Sequence, residues 1–383
     1  MVRVVPVRTR KALKAFIELP NRLYAGDPNY VPGLHIREKA IFDRTKNPFF
    51  KNSEAEFFLA LDGGRPVGRV AAIRNGPHLD RTGDRTGFFG FFESVEDDGI
   101  ARRLLDAAVG WLSERGMAAV IGPENYTTNE VCGVLVEGFH DPPVFMMPYN
   151  KSWVPGFFER YGFIRELDLV SYRIRRGLAT SLERAAIARR RWEDRLARRE
   201  ITLRALDLRR FDAEVENLRV AYNLAFRDNW GFVPFMPEEF RCQAADLRKI
   251  TGPEMMLLAE HRGEIVGFLC ALPDLNQVLI KLRNGRLFPL GILRLIRGRR
   301  RINRARILIL GVIPEYRGLG IDFCLYARLY ELLISRGYIE AEAAYVMENN
   351  AEMNKILVKL DGQISKRYRL YRLDFTSAKG EIG

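Results

Sequence analysis

The feature that most restricts the fold of this 383-residue chain is an internal repeat. Residues 57–73, FFLALDGGRPVGRVAAI, align with residues 256–272, MLLAEHRGEIVGFLCAL, at an offset of 199 positions. Both segments have the pattern of a strand, a tight turn and a second strand. The offset is 199 again near the end of each copy, where SYRI at 171–174 aligns with LYRL at 370–373. Collinear similarities of this kind predict a duplicated domain.

Between these matches the offset is 221, where amphipathic helices at 101–116 and 322–337 align and each ends at a glycine. The shift requires an insertion before the helix of the second copy, and a basic, leucine-rich segment at about 275–304 supplies it. We therefore predict an α/β fold of two tandem domains, each a mixed, mostly antiparallel sheet flanked by helices. The predicted boundaries are 1–176 for the first domain, 177–200 for a charged helical connector and 201–383 for the second domain.

The composition excludes several classes of protein. Hydrophobic residues make up 47% and charged residues 28% of the chain, which is typical of a soluble globular protein. The four cysteines and four histidines are scattered without metal-ligand spacing, so we predict no metal site and a reducing, cytoplasmic location. No apolar run reaches the roughly 18 residues that would predict a membrane-spanning helix. The net charge of +13 indicates an anionic partner: nucleic acid, an anionic membrane or a polyphosphate cofactor.

The most informative site is the sequence ILILGVIPEYRGLGIDFCLYARLYELL at 307–333. A buried strand leads through a Gly-x-Gly turn, Gly318 and Gly320, into a long helix. This order aims backbone N–H groups and the positive end of the helix at one point, and Arg317 adds a cation. The first copy has VEDDG at 95–99 in the same place, and its carboxylates would repel a diphosphate. The pattern therefore predicts a polyphosphate site in the second copy, the alternative being a tight turn without a ligand.

The strand–PEYRGLGI–helix segment resembles the cofactor-binding motif of the GNAT superfamily of acyl-CoA-dependent N-acyltransferases, whose usual pattern is Gln/Arg-x-x-Gly-x-Gly/Ala. The resemblance covers 202–376 well and 1–176 more distantly, and Glu315 departs from the pattern in its first position. It implies that the pyrophosphate of coenzyme A binds on the turn amides and that the next strand, Glu340–Met347, splays away to hold the acyl group. The residues that it implies for coenzyme A binding are Val312, Tyr316, Arg317, Gly318, Leu319, Gly320, Ile321, Asn350 and Asn354.

The resemblance also implies a proton-transfer group near the acyl gap. Many GNAT proteins have a tyrosine as general acid in the helix after the splayed strand, whereas the matching position here is Leu357. Amine attack on a thioester requires a base, for which the candidates are Glu342 and Glu348, with Tyr345 as proton donor. Each of them is equally consistent with a solvated residue at a strand edge.

Two regions are candidates for the acceptor site. In GNAT proteins the first two helices and their loop form the acceptor wall, and the matching segment 229–237 is strongly aromatic, although core packing is the alternative. In the first copy, polar loops follow buried strands, where α/β sheets place ligand contacts, although a polar surface loop would have the same sequence. The candidate residues are Trp230 and Phe232 in the second copy and Asn125, Tyr126, Glu130, Tyr149 and Asn150 in the first.

The insertion at 277–306 contains ten Lys and Arg residues and an apolar centre at 287–293. Such a segment is typical of an interfacial element on an anionic membrane, although contact with coenzyme A phosphates or a solvated basic loop would fit as well. No nucleic-acid-binding signature accompanies it, so we predict no nucleic acid partner. We expect a cytoplasmic protein with peripheral contact to the inner face of the membrane.

Three functions follow from these observations. The leading hypothesis is transfer of an acyl group from acyl-CoA, as co-substrate, to a hydrophobic or lipid-like amine at the membrane surface. The double-GNAT architecture is similar to that of the bacterial ceramide synthases, which acylate a sphingoid-type amine. The alternatives are an N-acetyltransferase for a small soluble amine or peptide, and a non-catalytic protein that binds coenzyme A or a partner. Donor chain length separates the first two hypotheses, and turnover of any amine excludes the third.

Overall fold

The computed structural model describes residues 1–175, 180–282, 285–286 and 291–375. The first copy contains β1 (Arg3–Pro6), α1 (Arg10–Leu23), α2 (His35–Ile41), β2 (Glu54–Asp62), β3 (Arg65–Arg74), α3 (Gly76–Thr82), β4 (Thr86–Ser94), α4 (Asp98–Ser113), β5 (Ala119–Gly122), β6 (Val134–Glu137), α5 (Val154–Tyr161) and β7 (Ile164–Arg175). The connector and second copy contain α6 (Thr180–Ala197), β8 (Ile201–Ala205), α7 (Phe211–Phe226), α8 (Pro237–Arg248), β9 (Met256–His261), β10 (Glu264–Pro273), α9 (Asn276–Leu279), α10 (Gly291–Arg299), β11 (Arg304–Val312), α11 (Ile321–Ser335), β12 (Glu340–Met347), α12 (Ala351–Lys359) and β13 (Gln363–Asp374).

The described residues divide into two compact units. Unit 1 is formed by the described parts of Met1–Leu169, Asn276–Arg297 and Lys366–Gly383, and unit 2 by those of Val170–Leu275 and Gly298–Ser365. The strand order is β1-β2-β3-β4-β5-β13 in unit 1, where β6 also pairs with β13, and β7-β12-β11-β10-β9-β8 in unit 2. Each unit therefore contains one mixed sheet flanked by helices, as predicted.

Both sheets have the same pairing pattern. The pairs β2–β3 and β3–β4 of unit 1 and β9–β10 and β10–β11 of unit 2 are antiparallel. The pairs β4–β5 and β11–β12 are parallel. Parallel neighbours need a crossover connection, and the long helices α4 and α11 are those crossovers.

The predicted duplication is confirmed element by element. Strands β3 and β10 are related by the offset of 199, and so are β7 and β13. The predicted insertion lies between β10 and β11, where α9 and α10 replace the short α3 of the first copy. Residues 283–284 of the insertion and 287–290 of its predicted apolar centre lie outside the described residues, as do residues 177–179 of the predicted connector and residue 176 before it.

The two units do not coincide with the predicted domain boundaries. Strand β7 passes from unit 1 to unit 2 at Val170, and β13 passes from unit 2 to unit 1 at Lys366. The physical reason is strand pairing, since β13 from Tyr371 to Asp374 is hydrogen-bonded to β5. Part of the insertion also belongs to unit 1, where the Asn276 side chain donates to the Pro143 carbonyl at 2.8 Å.

Each unit has its own hydrophobic core. In unit 1, Leu104, Leu105 and Leu112 of α4 pack with the aromatic side chains of Phe89 and Phe158. In unit 2, one face of α11 packs on β10 and β11; its buried residues are Ile321, Cys324, Leu325, Leu329 and Leu333. Among the described residues, no helix combines the length and the apolar character needed to cross a membrane.

Candidate functional site

A run of open backbone donors lies where β11 leads into α11. Pro314–Tyr316 form a single turn, and Gly318 and Gly320 adopt φ angles of +75° and +85°. The first hydrogen bond of the helix runs from Cys324 N–H to the Gly320 carbonyl at 3.1 Å. Within the described chain, the N–H groups from Gly318 to Phe323 have no acceptor. We call this run of N–H groups (residues 318–323) the cradle. Unpaired N–H groups at the positive end of a helix favour an anion.

Both glycines of the turn are required by local geometry. A Cβ atom at Gly318 would meet nothing within 4 Å, so this residue is required by its backbone conformation alone. A Cβ atom at Gly320 would lie 2.6 Å from Cε3 of Trp192, because the indole ring packs directly against the backbone there. Gly320 is also the N-cap of α11 and provides no side-chain oxygen to its first turn.

The residues before the glycines brace the loop. The Arg317 guanidinium donates to the carbonyls of Val312, at 3.3 Å, and Ala225, at 2.8 Å, which ties the loop to the end of α7. The Tyr316 hydroxyl lies 2.8 Å from Nδ1 of His261. These contacts of Arg317 and Tyr316 hold the cradle in place beside the end of α7.

A gap opens between the two parallel strands of unit 2. Strands β11 and β12 pair only from Arg304 opposite Glu340 to Ile307 opposite Ala343, although β11 continues to Val312 and β12 to Met347. A register shift opposite Cys270 and Ala271 of β10 marks the point where β11 turns away. The splay that the resemblance to the GNAT superfamily implied is therefore present, and it ends beside the cradle, since β11 runs directly into that loop.

Comparison with known proteins identifies the family. The model of the acetyltransferase (GNAT) family matches residues 216–360. The chain is 33% identical over 378 residues to the bacterial ceramide synthase of Caulobacter vibrioides (strain NA1000 / CB15N), which covers 96% of each chain. It is 32% identical over 365 residues to Protein YghO of Escherichia coli (strain K12), which covers 94% of this chain and 92% of the relative. The chain belongs to the GNAT family.

Solved structures show the same fold over nearly the whole chain. A tandem GNAT protein from the clavulanic acid biosynthesis pathway has a TM-score of 0.56 at 14% identity and covers 98% of each chain. A GNAT protein from Sphaerobacter thermophilus has a TM-score of 0.54 at 14% identity, with 97% and 95% covered. The protein is thus a tandem GNAT-type N-acyltransferase, and the co-substrate of this family is an acyl-CoA.

Of the two acidic residues predicted at the GNAT acyl gap, Glu342 is part of the core. Glu342 on β12 is fully buried, and its carboxylate lies 3.5 Å from Nη2 of Arg173 on β7. Tyr345 is partly buried, with its ring 6.0 Å from the Arg306 guanidinium. Arg306 donates through Nε and Nη2 to the Ala344 carbonyl at 3.2 and 3.0 Å, which stabilises the strand just beyond the start of the splay. Glu348, one residue past β12, is partly exposed.

The asparagines predicted to contact coenzyme A organise the start of α12. Asn350 is the N-cap, and its Oδ1 accepts the Met353 N–H at 3.1 Å. Asn354 donates to the Met347 carbonyl at 3.0 Å and accepts from the Tyr172 hydroxyl at 2.9 Å. Leu357 is fully buried, so the position of the usual GNAT tyrosine is a core position here.

In the aromatic segment of unit 2 that was predicted to form the acceptor wall, the rings of Phe232 and Phe235 lie near Tyr222. Phe232 is buried and Trp230 is partly buried. The ring of Tyr222 lies 5.0 Å from that of Phe235 and 6.5 Å from that of Phe232. Tyr222, on α7, was not predicted, because only its contacts in the folded chain identify it as the centre of this cluster.

The acceptor residues predicted in the first copy stabilise unit 1. The β4–β5 pair ends at Phe88 opposite Ile121, and the following loop fills the gap: Glu124 N–H donates to the Phe89 carbonyl at 2.7 Å, and Asn125 Oδ1 accepts the Phe91 N–H at 2.8 Å. The remaining candidates also take part in contacts within unit 1 or are partly buried. Tyr126 is buried and donates to the Ile41 carbonyl, Tyr149 donates to Asp27, Asn150 pairs with both backbone groups of Leu135, and Glu130 is partly buried.

Unit 1 also contains buried acids that the sequence did not reveal. The Tyr24 hydroxyl donates to Glu93, whose other oxygen lies 3.7 Å from the buried Arg69 guanidinium. Burial raises the pKa of Glu93 to about 7. Glu124 is fully buried, neither of its carboxylate oxygens has a hydrogen-bond partner in the described chain, and burial raises its pKa to about 8. No sequence signal marks these residues, since their neighbours are distant along the chain.

An apolar cavity of about 290 Å³ lies in unit 2 along one face of α11. Its wall begins with Asp322 and Phe323, whose N–H groups belong to the cradle, and continues along the helix to Leu333. Over this distance α11 rises about 16 Å. The other lining residues are Ile174, Ile307, Tyr326, Ala327, Leu329, Tyr330, Ala341, Ile356, Lys359 and Leu360.

Proposed function

We propose that this GNAT protein transfers a long acyl chain from acyl-CoA to the amine of a hydrophobic, sphingoid-type acceptor at an anionic membrane surface. The observation that carries the proposal is the open cradle beside the splayed strands of unit 2. The amides would bind the diphosphate of coenzyme A, and the splay would receive the thioester.

The reaction balances without a further reactant. The amine nitrogen attacks the thioester carbonyl, the C–N bond forms, the C–S bond breaks, and the thiolate takes up a proton that the amine gives up. A base must accept that proton first. The partly exposed Glu348 suits this role better than Glu342, because Glu342 is buried beside Arg173. Tyr345 is the candidate proton donor to the thiolate, and its phenolate would then recover the proton that Glu348 took from the amine.

The apolar cavity supports a long-chain donor. Its lining is almost entirely hydrocarbon, and an acetyl group would leave most of about 290 Å³ unfilled. Burial of each methylene group of a longer chain contributes about 0.8 kcal/mol. Because the cavity begins at Asp322 and Phe323, it starts at the residues that complete the cradle.

Helix α10 supports action at a membrane. Its apolar residues Ile292, Leu293 and Ile296 have 37%, 48% and 58% of their surface exposed, and Arg294 and Arg297 are exposed between and beside them. A helix that exposes both apolar and basic side chains is suited to the headgroup region of an anionic bilayer. The ceramide synthase name of a relative that is 33% identical over nearly the full length supports a sphingoid-type acceptor.

A turnover assay tests the proposal directly. The purified chain is given palmitoyl-CoA or acetyl-CoA, with a sphingoid base in anionic or neutral vesicles or with a soluble polyamine. We expect release of thiol and formation of the N-acyl product with palmitoyl-CoA and the sphingoid base, at a higher rate on anionic vesicles. Turnover restricted to acetyl-CoA and the soluble amine would contradict the long-chain and membrane assignments.

A further inference from the structure

The connector helix α6 lies against the cradle. The Trp192 ring packs on the backbone of Gly320, where a Cβ atom would lie 2.6 Å from Cε3 and 3.0 Å from Cζ3 of the indole. The same ring joins the hydrophobic core of unit 2, in which Leu319 and Phe323 also take part. One side of the open amide run is therefore bounded by a residue from a helix more than a hundred positions earlier in the chain.

Ion pairs fix α6 in this position. Arg189 pairs with Glu331 of α11 at 3.0 Å and with Glu193 on its own helix at 2.7 Å. Arg328 of α11 pairs with Glu193 at 2.7 Å and donates to the Leu203 carbonyl. Because these contacts join α6 to the helix that begins at the cradle, Trp192 is held by its neighbours as well as by its own packing.

Arg195 places a cation beside Trp192, the residue that bounds the cradle. Its guanidinium lies over the Trp192 ring at 5.0 Å from the centroid, and its side chain is exposed. In contrast with Arg189, it has no carboxylate within ion-pair distance in the part of the chain that the structure describes. An arginine that is pre-oriented by an aromatic face and lacks an internal anion is suited to a phosphate.

We propose that α6 forms one wall of the donor site and that Arg195 binds the 3′-phosphate on the ribose of coenzyme A. This inference rests on the proposed function, since it assumes that the cradle binds the coenzyme A diphosphate. Coenzyme A has two separate anionic groups, the diphosphate and the ribose 3′-phosphate. The cradle has donors for the first, and Arg195, on the aromatic ring that packs against Gly320, has the charge for the second.

Calorimetric titration with coenzyme A and with 3′-dephospho-coenzyme A tests this assignment. We expect the wild-type chain to prefer coenzyme A by about tenfold, the effect of one charge-assisted contact to a phosphate. Arg195→Ala should lose that preference while its affinity for 3′-dephospho-coenzyme A stays unchanged. Arg190→Ala is the matched control, because Arg190 is exposed on the same helix about 160° away from Trp192 and should leave the preference intact.

The outcomes separate this inference from the proposed function. A wild-type chain that binds neither compound would overturn the cradle assignment and with it the proposed function. A wild-type chain that binds both equally, or an Arg195→Ala variant that keeps the tenfold preference, would overturn the role of Arg195 alone. Unfolding temperatures of the two variants equal to that of the wild type establish that any loss of discrimination is local.

Discussion

The long crossover helices of the two units start in opposite ways. Helix α4 of unit 1 is capped by Asp97, whose Oδ1 accepts the Ile100 N–H at 2.9 Å, and Asp98 of its first turn pairs with Arg160 at 2.7 Å. Helix α11 of unit 2 is preceded by Gly320 and has no side-chain cap. The N–H groups at the start of the crossover helix are thus capped by a side chain in the first copy and left without a side-chain cap in the second. The amides at the start of α11 therefore remain available to an anion, whereas those at the start of α4 are capped by the chain itself.

The gap between the two parallel strands is likewise filled in unit 1 and open in unit 2. In unit 1, the backbone of Glu124 and the side chain of Asn125 bond to β4 and fill the space beyond the last β4–β5 pair. In unit 2, β11 and β12 separate after Ile307 and Ala343, and the Arg306 side chain bonds to the Ala344 carbonyl at the start of the splay. In unit 1, the residues beyond the last β4–β5 pair are therefore bonded to the sheet, whereas in unit 2 the matching strands stay apart.

The largest expected effect is a loss of coenzyme A affinity when the start of α11 is given a carboxylate like those at the start of α4. Gly318→Asp introduces a carboxylate into the cradle and should weaken coenzyme A binding more than 100-fold, or about 3 kcal/mol, because it competes with the diphosphate for the amides and repels it. A Cβ atom at this position meets nothing within 4 Å, so the fold should persist despite the positive φ. Calorimetric titration with coenzyme A measures the change.

Gly318→Asn is the matched control, since asparagine has the size of aspartate and tolerates positive φ without adding a charge. It should cost far less affinity than Gly318→Asp. Retention of wild-type affinity by Gly318→Asp would contradict the assignment of the cradle.

A smaller effect, on the pH dependence of stability, is expected from Glu124 in the filled gap of unit 1. Glu124 is buried and its pKa is raised to about 8, so between the ordinary carboxyl pKa and that value the folded chain retains a proton that the unfolded chain has released. Stability from this group is therefore present at low pH and is lost as the pH rises through 8. Glu124→Gln cannot ionise and should gain up to about 2 kcal/mol relative to the wild type between pH 6.5 and pH 8.

Thermal unfolding at several pH values measures this gain. Glu96→Gln, an exposed glutamate in the same unit, is the control and should follow the wild type across the range. A constant difference between Glu124→Gln and the wild type from pH 5 to pH 8.5 would show that Glu124 does not ionise in this window.

Much of this comparison could be predicted from the sequence, because it depends on local patterns. The offset of 199 positions predicted that β10 corresponds to β3 and β13 to β7. The difference between VEDDG at 95–99 and YRGLG at 316–320 predicted that the two helix starts differ. Glycine and carboxylate have opposite effects on open amides whatever the tertiary context, so this contrast does not require a structure.

The rest depends on contacts between residues that are far apart in sequence. Nothing in the sequence indicates that β13 pairs with β5 and that the chain from Lys366 joins unit 1. The roles of Glu342 and Trp192 likewise depend on Arg173, 169 positions away, and on Gly320. Sequence patterns predict that a residue lies on a strand or helix, whereas the charge or backbone next to it is set by packing.

The smallest expected effect is a loss of stability when the N-cap of α4 is removed. Asp97→Ala removes the carboxylate that accepts the Ile100 N–H and should lower the stability of unit 1 by about 1 kcal/mol, the usual cost of losing an N-cap. Asp97→Asn keeps a capping oxygen and should lose much less, which separates the hydrogen bond from the charge. Coenzyme A affinity should stay within twofold of wild type in both variants, since the donor site is assigned to unit 2. A drop in affinity comparable with that of Gly318→Asp would place the cofactor at α4 instead. Calorimetric titration with coenzyme A and thermal unfolding, each on a separate portion of every variant, measure the two effects.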